Sequence, residues 1–137
     1  MSKVCIVTGA SRGLGRGIAK VLAEERSATV YATARSEAAL NDLASSIKGN
    51  TGVIHPVVLD QSDDSAVEKF ITTVAEKERR IDLLVNSAYG GLTAMTPHFG
   101  KPFWERPISV FDASIDIGLR SAFVSSAIVA PHMVSQK

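Results

Sequence analysis

The sequence predicts an α/β fold, a parallel sheet with helices on both faces, and three observations lead there. Short apolar runs without alternation recur at Val4-Cys5-Ile6-Val7, Thr29 to Thr33, Val53 to Leu59 and Ile81 to Val85. Strands buried on both faces have that pattern. Stretches with helical spacing separate the runs, and repeated βα units imply a parallel sheet covered on both sides. A glycine-rich turn, Thr8-Gly9-Ala10-Ser11-Arg12-Gly13-Leu14-Gly15, joins the first strand directly to the first helix, read as Gly15 to Arg26.

The later elements follow in order. Glu37 to Lys48 places Leu40, Leu43 and Ile47 at helical spacing, with Gly49-Asn50 as its C-cap. Ser62-Asp63-Asp64-Ser65 offers N-cap residues to a helix that lines one face with Val67, Phe70, Ile71 and Val74. From Tyr89 to Pro107 the pattern lapses, punctuated by Gly90, Gly91, Pro97, Gly100, Pro102 and Pro107. A connection that long forms part of a ligand site or covers the sheet with Phe99, Phe103 and Trp104, and its length does not separate the two. Helical spacing resumes near Ile108. Over Leu119 to Gln136 it sets Phe123, Ala127 and Val134 on one face and Val124 and Ile128 on another. A helix lying between the sheet and a second helix, in this chain or a partner, fits that distribution, and Pro131 is expected to bend it.

Glycines after a buried strand let the backbone turn sharply and approach a ligand closely. The following helix then turns free N–H groups and its positive dipole end toward a phosphate. The spacing T-G-x-x-x-G-x-G resembles that of the short-chain dehydrogenase/reductase family. Asp60 after Val57-Val58-Leu59, and Asn86-Ser87-Ala88-Tyr89 where the family usually has N-N-A-G, add to the resemblance. It implies a Rossmann-type doubly wound sheet of strand order 3-2-1-4 over residues 1–137, the N-terminal part of a single NADP-binding domain.

A dinucleotide is then the expected cofactor, with Gly9, Ser11, Gly13, Leu14 and Gly15 at its pyrophosphate. An acid after the second strand would accept from the 2′-hydroxyl of NAD, but this chain has Ala34-Arg35, and Arg12 stands in the glycine turn. Two guanidiniums at that corner suit a 2′-phosphate, so NADP(H) is favoured over NAD(H); as solvated surface charges they would carry no such meaning. By resemblance, Asp60, with Gln61 beside it, meets the adenine amino group, and Asn86, Ala88 and Tyr89 line the nicotinamide ribose through backbone atoms. Asp60 could instead cap the next helix, although Ser62 and Asp63 are available for that.

The family's chemistry uses a Ser and a Tyr-x-x-x-Lys pair, the Tyr acting as acid or base. No Tyr-x-x-x-Lys occurs here, so no catalytic residue is assigned. Gly118 stands where most relatives carry an Asn. The expected function is therefore that of the cofactor-binding half of an NADP(H)-dependent oxidoreductase for small carbonyls or alcohols. A nucleotide-binding fragment without catalysis, or an interaction partner of a longer relative, are the alternatives. The strings Asn86-Ser87-Ala88-Tyr89, Phe103-Trp104-Glu105 and Gly118-Leu119-Arg120 mark one branch of the family. That branch implies reduction of carbonyl compounds such as steroids or xenobiotics, and association with the endoplasmic reticulum.

Composition narrows the classes. At 137 residues, 45% hydrophobic and 21% charged, the chain suits one folded domain. A net charge of +1 gives no basis for nucleic-acid attraction. No apolar run approaches a membrane span of about 18 residues, and a strand beginning three residues in leaves no room for a signal peptide. A cytoplasmic or cytosol-facing setting is the expectation. Cys5, the single cysteine, reads as a small buried hydrophobe. His55, His98 and His132 have no metal-ligand spacing. The last helix is the candidate surface for a homo-oligomer.

Overall fold

The computed structural model describes residues 2–49 and 52–136. Four parallel strands, β1 (Val4–Thr8), β2 (Thr29–Ala34), β3 (Val53–Val58) and β4 (Leu83–Val85), form one sheet in the order β3-β2-β1-β4. The chain is a Rossmann-type α/β fold, as the strand pattern predicts. Its helices are α1 (Gly13–Arg26), α2 (Glu37–Ser45), α3 (Asp64–Glu78), α4 (Gly91–Met95), α5 (Ile108–Ser114) and α6 (Ser121–Ser135).

Alternation along β1 sorts the core into two layers. Cys5 and Val7 face one side, where Val30 and Ala32 of β2 meet Ala19 and Ala23 of α1 and Leu40 and Leu43 of α2. Val4 and Ile6 face the other, packing with Tyr31, with Val67, Ile71 and Val74 of α3, and with Val129 of α6. Each fully buried aliphatic side chain contributes about 1.5–3 kcal/mol. Cys5 is buried, and burial pushes its thiol pKa up, in keeping with a packing role.

Several boundaries differ from the sequence reading. First, α1 starts at Gly13, two residues before Gly15, and Gly13 itself enters the helix with a φ of 56°. The second helix stops at Ser45, with Ser46 as its C-cap, short of Lys48. Gly49 takes a positive φ of 95° beyond that end, and Asn50 lies outside the described residues. Asp63 alone is the N-cap of α3, accepting from Ala66 N–H. Ile81 precedes β4 and is fully buried.

The segment after Tyr89 is not a loop throughout. It contains α4 and two short 3-10 turns, Thr96–His98 and Phe103–Glu105. Phe99, Phe103 and Trp104 do not cover the sheet: all three are exposed, and Phe103 and Trp104 stack edge to face on each other.

From Ile108 to Ser135 the helix is continuous, passing through a π turn at Ile115–Arg120 that contains Gly118. By length and composition those 28 residues are apolar enough to cross a membrane, although interspersed serines and charges break every apolar run. Its Ser125, Ile128 and Val129 side packs inward, and Val124 and Ile128 join the core beside α3. Phe123 and Val134 are exposed, so the two faces read from sequence are real, and the neighbouring helix is α3 of the same chain. Pro131 sits inside α6, which continues to Ser135.

Candidate functional site

A cleft of about 970 Å³ opens at the carboxyl ends of the strands, where the sheet order reverses between β1 and β4. Its floor is made of backbone. Gly9 has a φ of 65°, and a Cβ there would lie 2.6 Å from Ala88 Cα and from the Ser87 carbonyl oxygen. A Cβ on Gly15 would stand 2.5 Å from the Gly9 carbonyl oxygen and 3.0 Å from Ser87 Oγ. These glycines let the first turn of α1, the end of β1 and the chain leaving β4 close on one another.

Thr8 secures that junction. Its hydroxyl donates to the Val85 carbonyl (3.4 Å) and accepts from the backbone N–H groups of Ser87 (3.1 Å) and Ala88 (3.2 Å). On the other side, Ala10 N–H donates to the Thr33 carbonyl at 3.0 Å. With the turn held from both sides, α1 starts at a fixed point in the cleft. Arg12 is its N-cap residue, yet no side chain caps the helix, so its first N–H groups face the cleft without a side-chain acceptor. A helix N-terminus of this kind favours an anion.

The structure brings Gly9, Ser11, Arg12, Gly13, Leu14, Gly15, Arg35, Asp60, Gln61, Ala88 and Tyr89 to this one cleft. Asn86 does not line it. Its side-chain amide donates to Ser126 Oγ on α6 at 3.0 Å and so ties β4 to that helix.

The two arginines stand differently. Arg12 reaches across to Thr93 Oγ1 on α4 (3.2 Å) rather than toward the end of β2. Arg35 makes no hydrogen bond or ion pair among the described residues, and it stands close enough to Asp60 to lower that acid's pKa. Asp60 is held below the usual carboxylate range chiefly by Ser62, whose N–H (2.9 Å) and hydroxyl (2.7 Å) both donate to Oδ1. Neighbouring Arg16, absent from the sequence reading, is spent on the Ala39 carbonyl and on Asp42.

Gln61 is 7% exposed, lines the cleft, and its Oε1 has no hydrogen-bond partner among the described residues. A buried amide oxygen left so is costly unless a ligand supplies the donor. Ser114 and Thr93, also missed in the sequence, hold the Tyr89 and Arg12 side chains. Neither belongs to a motif; only the packing of α4 and α5 against the cleft reveals them. Among the described residues no cluster of potential metal ligands occurs. His55 lies on β3 against the Tyr31 ring, its pKa lowered by burial, while His98 and His132 lie on the Thr96–His98 turn and on α6.

Comparison with known proteins agrees with this architecture. Residues 3–137 match the family model described as short chain dehydrogenase. The chain is 42% identical over 133 residues to dehydrogenase/reductase SDR family member 1 of Mus musculus, spanning 96% of this chain and 42% of that one. It is 34% identical over 131 residues to the 7alpha-hydroxysteroid dehydrogenase of Clostridium sardiniense, spanning 96% and 48%. The chain thus covers less than half the length of these two curated relatives. Among solved structures, a metagenomic short-chain oxidoreductase in complex with NADP superposes with a TM-score of 0.80 at 30% identity, over 98% of this chain and 57% of that one. The branch of the family read from the sequence accords with the likeness to SDR family member 1. On sequence and architecture together, the chain belongs to the short-chain dehydrogenase/reductase family.

Proposed function

We propose that the cleft binds a nicotinamide dinucleotide, NADP(H) in preference to NAD(H), and that the chain is the cofactor-binding half of an oxidoreductase for small carbonyls or alcohols. The observation that carries this reading is Arg35. It stands at the cleft just after β2 with no hydrogen-bonding partner among the described residues, where an acid would select NAD. The site fits such a group in two further ways. Gly9 and Gly15 let the turn after β1 and the chain leaving β4 close together to form the cleft floor, and the buried Gln61 amide oxygen lacks a donor among the described residues.

In this arrangement the first N–H groups of α1 hold the pyrophosphate, Arg35 holds the 2′-phosphate, and Asp60 and Gln61 meet the adenine. The chain leaving β4, at Ala88 and Tyr89, flanks the nicotinamide riboside. Bound NADP(H) supplies or takes up the hydride. With no Tyr-x-x-x-Lys among its 137 residues, the proton for the carbonyl oxygen comes from elsewhere. The solved relative described as being in complex with NADP supports the choice of cofactor.

A second reading, in which the chain pairs with another copy or a longer relative through α6, is favoured by the exposed Phe123 and Val134. Calorimetric titration of the chain with NADPH and with NADH tests the first. NADPH is expected to bind at least about tenfold more tightly, since charge-assisted hydrogen bonds contribute about 1.5–3 kcal/mol. Equal affinities would overturn the NADP preference.

A further inference from the structure

Arg12 and Thr93 join the two walls of the cleft. Arg12 stands in the turn after β1 and Thr93 on α4 beyond β4, and the guanidinium donates to Thr93 Oγ1 at 3.2 Å. Both residues line the cleft, although 81 positions separate them in the chain. Strands β1 and β4 are neighbours, and the crevice beyond their carboxyl ends is where the sheet order reverses. The hydrogen bond therefore spans that crevice.

The donors it leaves over are well defined. A guanidinium only donates, so Thr93 is the acceptor and keeps its own hydroxyl hydrogen. Neither side chain makes another hydrogen bond among the described residues. The bridge starts from the N-cap of α1, whose first N–H groups have no side-chain cap, and it adds the remaining guanidinium N–H groups and the Thr93 hydroxyl to them. Nor is the bridge what holds α4 in place. Met95 Sδ accepts from Arg106 at 3.3 Å, and Gly90 and Gly91 stand close against Ala113, Ser114 and Ile117. A single hydrogen bond between two exposed side chains contributes little to the fold.

A dinucleotide crosses the switch point at its pyrophosphate, the part that NADP and NAD share. A guanidinium engaged with Thr93 on the β4 side of β1 is turned away from Arg35, which follows β2 on the other side. Resting on the cofactor reading above, we propose that Arg12 and Thr93 form a strap across the crevice that closes on the pyrophosphate. Arg12 is the binding residue, and Thr93 positions it and adds a hydroxyl donor. The strap recognises what the two cofactors have in common, and the choice between them is left to Arg35.

The test is titration of NADPH and NADH into wild type, Arg12→Ala, Thr93→Val and Thr93→Ser, with dissociation rates by stopped flow and an unfolding midpoint for each. Arg12→Ala is expected to weaken both cofactors by the same factor, about tenfold or more, as charge-assisted hydrogen bonds to phosphate are lost. Thr93→Val is expected to weaken both about fivefold through faster dissociation. Thr93→Ser restores wild-type binding, and the midpoints stay unchanged. A loss confined to NADPH in Arg12→Ala overturns the proposal and returns Arg12 to the 2′-phosphate. Tighter NADPH binding by Thr93→Val overturns it too, since Thr93 would then hold Arg12 away from phosphate. Unchanged affinities in Arg12→Ala, or a Thr93→Ser variant as weak as Thr93→Val, have the same consequence and leave the cofactor reading standing. Failure of wild type to bind either cofactor overturns that reading and this inference with it.

Discussion

Gly9 and Ala88 meet backbone to backbone: a Cβ on the first would lie 2.6 Å from the Cα of the second. The contact joins the turn after β1 to the chain leaving β4 across the switch point, so the cleft and the sheet share one structural requirement. Gly9→Ala is expected to cost about 2–4 kcal/mol, combining left-handed strain with overpacking against a neighbour that cannot retreat. Gly17 provides the contrast, since a Cβ there meets nothing within 4 Å and the residue lies inside α1. Gly17→Ala is expected to add about 0.5–1 kcal/mol. Urea unfolding of the two variants checks both signs.

Asp82 fastens the amino ends of β1 and β4. It is bound by Arg80 Nε (2.8 Å) and Nη2, accepts from Val4 N–H (2.8 Å), and pairs with Lys3 (3.0 Å). Arg80, followed by Val4 N–H and Lys3, holds the carboxyl well below the usual carboxylate range despite burial. A depressed folded-state pKa adds stability that is complete above the unfolded value of about 4 and is lost as pH falls toward the folded value. Asp82→Asn is therefore expected to destabilise the chain by about 2 kcal/mol at pH 7, and by clearly less at pH 3. Unfolding midpoints at the two pH values measure the difference, and a deficit independent of pH would rule out the charge as its source.

Phe123 and Val134 project from α6, Phe111 from α5, and only 17% of the most apolar window of Ile108–Ser135 is buried within the chain. Among the described residues β4 is also an edge strand, with Leu83 partly exposed. Such a surface favours self-association. Light scattering is expected to show oligomers that Phe123→Asp shifts toward monomer. A monodisperse wild-type monomer with sharp near-ultraviolet circular dichroism would contradict this.

Tyr89 lines the cleft, but Thr93 rather than a Lys stands four residues on. The chain of 137 residues is accordingly expected to show no NADPH oxidation above background with a carbonyl substrate. Steady turnover abolished by Tyr89→Phe would show that the phenol proton is available after all.

What the sequence revealed and what it hid divide along a physical line. The strands and the glycine turn were legible because they depend on local period and on backbone clearance at Gly9 and Gly15, and the strand order followed from the family resemblance. Eleven of the twelve expected cofactor residues line the cleft because those motifs sit at strand ends, which the sheet gathers together. Asn86, expected to contribute backbone atoms, does not line it, and its side chain meets Ser126, forty residues on. Arg12 likewise turns to Thr93, and the hydrogen bonds linking Tyr89, Ser114 and Val110 exist only once α5 packs beside the turn after β4. No local pattern encodes such pairings. Helix α4 was hidden by Gly90 and Gly91, which read as loop; Gly91 gives clearance to the Tyr89 hydroxyl, and Gly90 to the Ala113 carbonyl and Ile117.

The central claim is that Arg35 selects the phosphorylated cofactor. It is tested most directly by titrating wild type and Arg35→Ala with NADPH and NADH under the same ionic strength. Removing charge-assisted hydrogen bonds to the 2′-phosphate is expected to cost about 1.5–3 kcal/mol, roughly 10- to 150-fold in NADPH affinity, with NADH affinity nearly unchanged. Equal losses for the two cofactors, or none for either, would contradict the account.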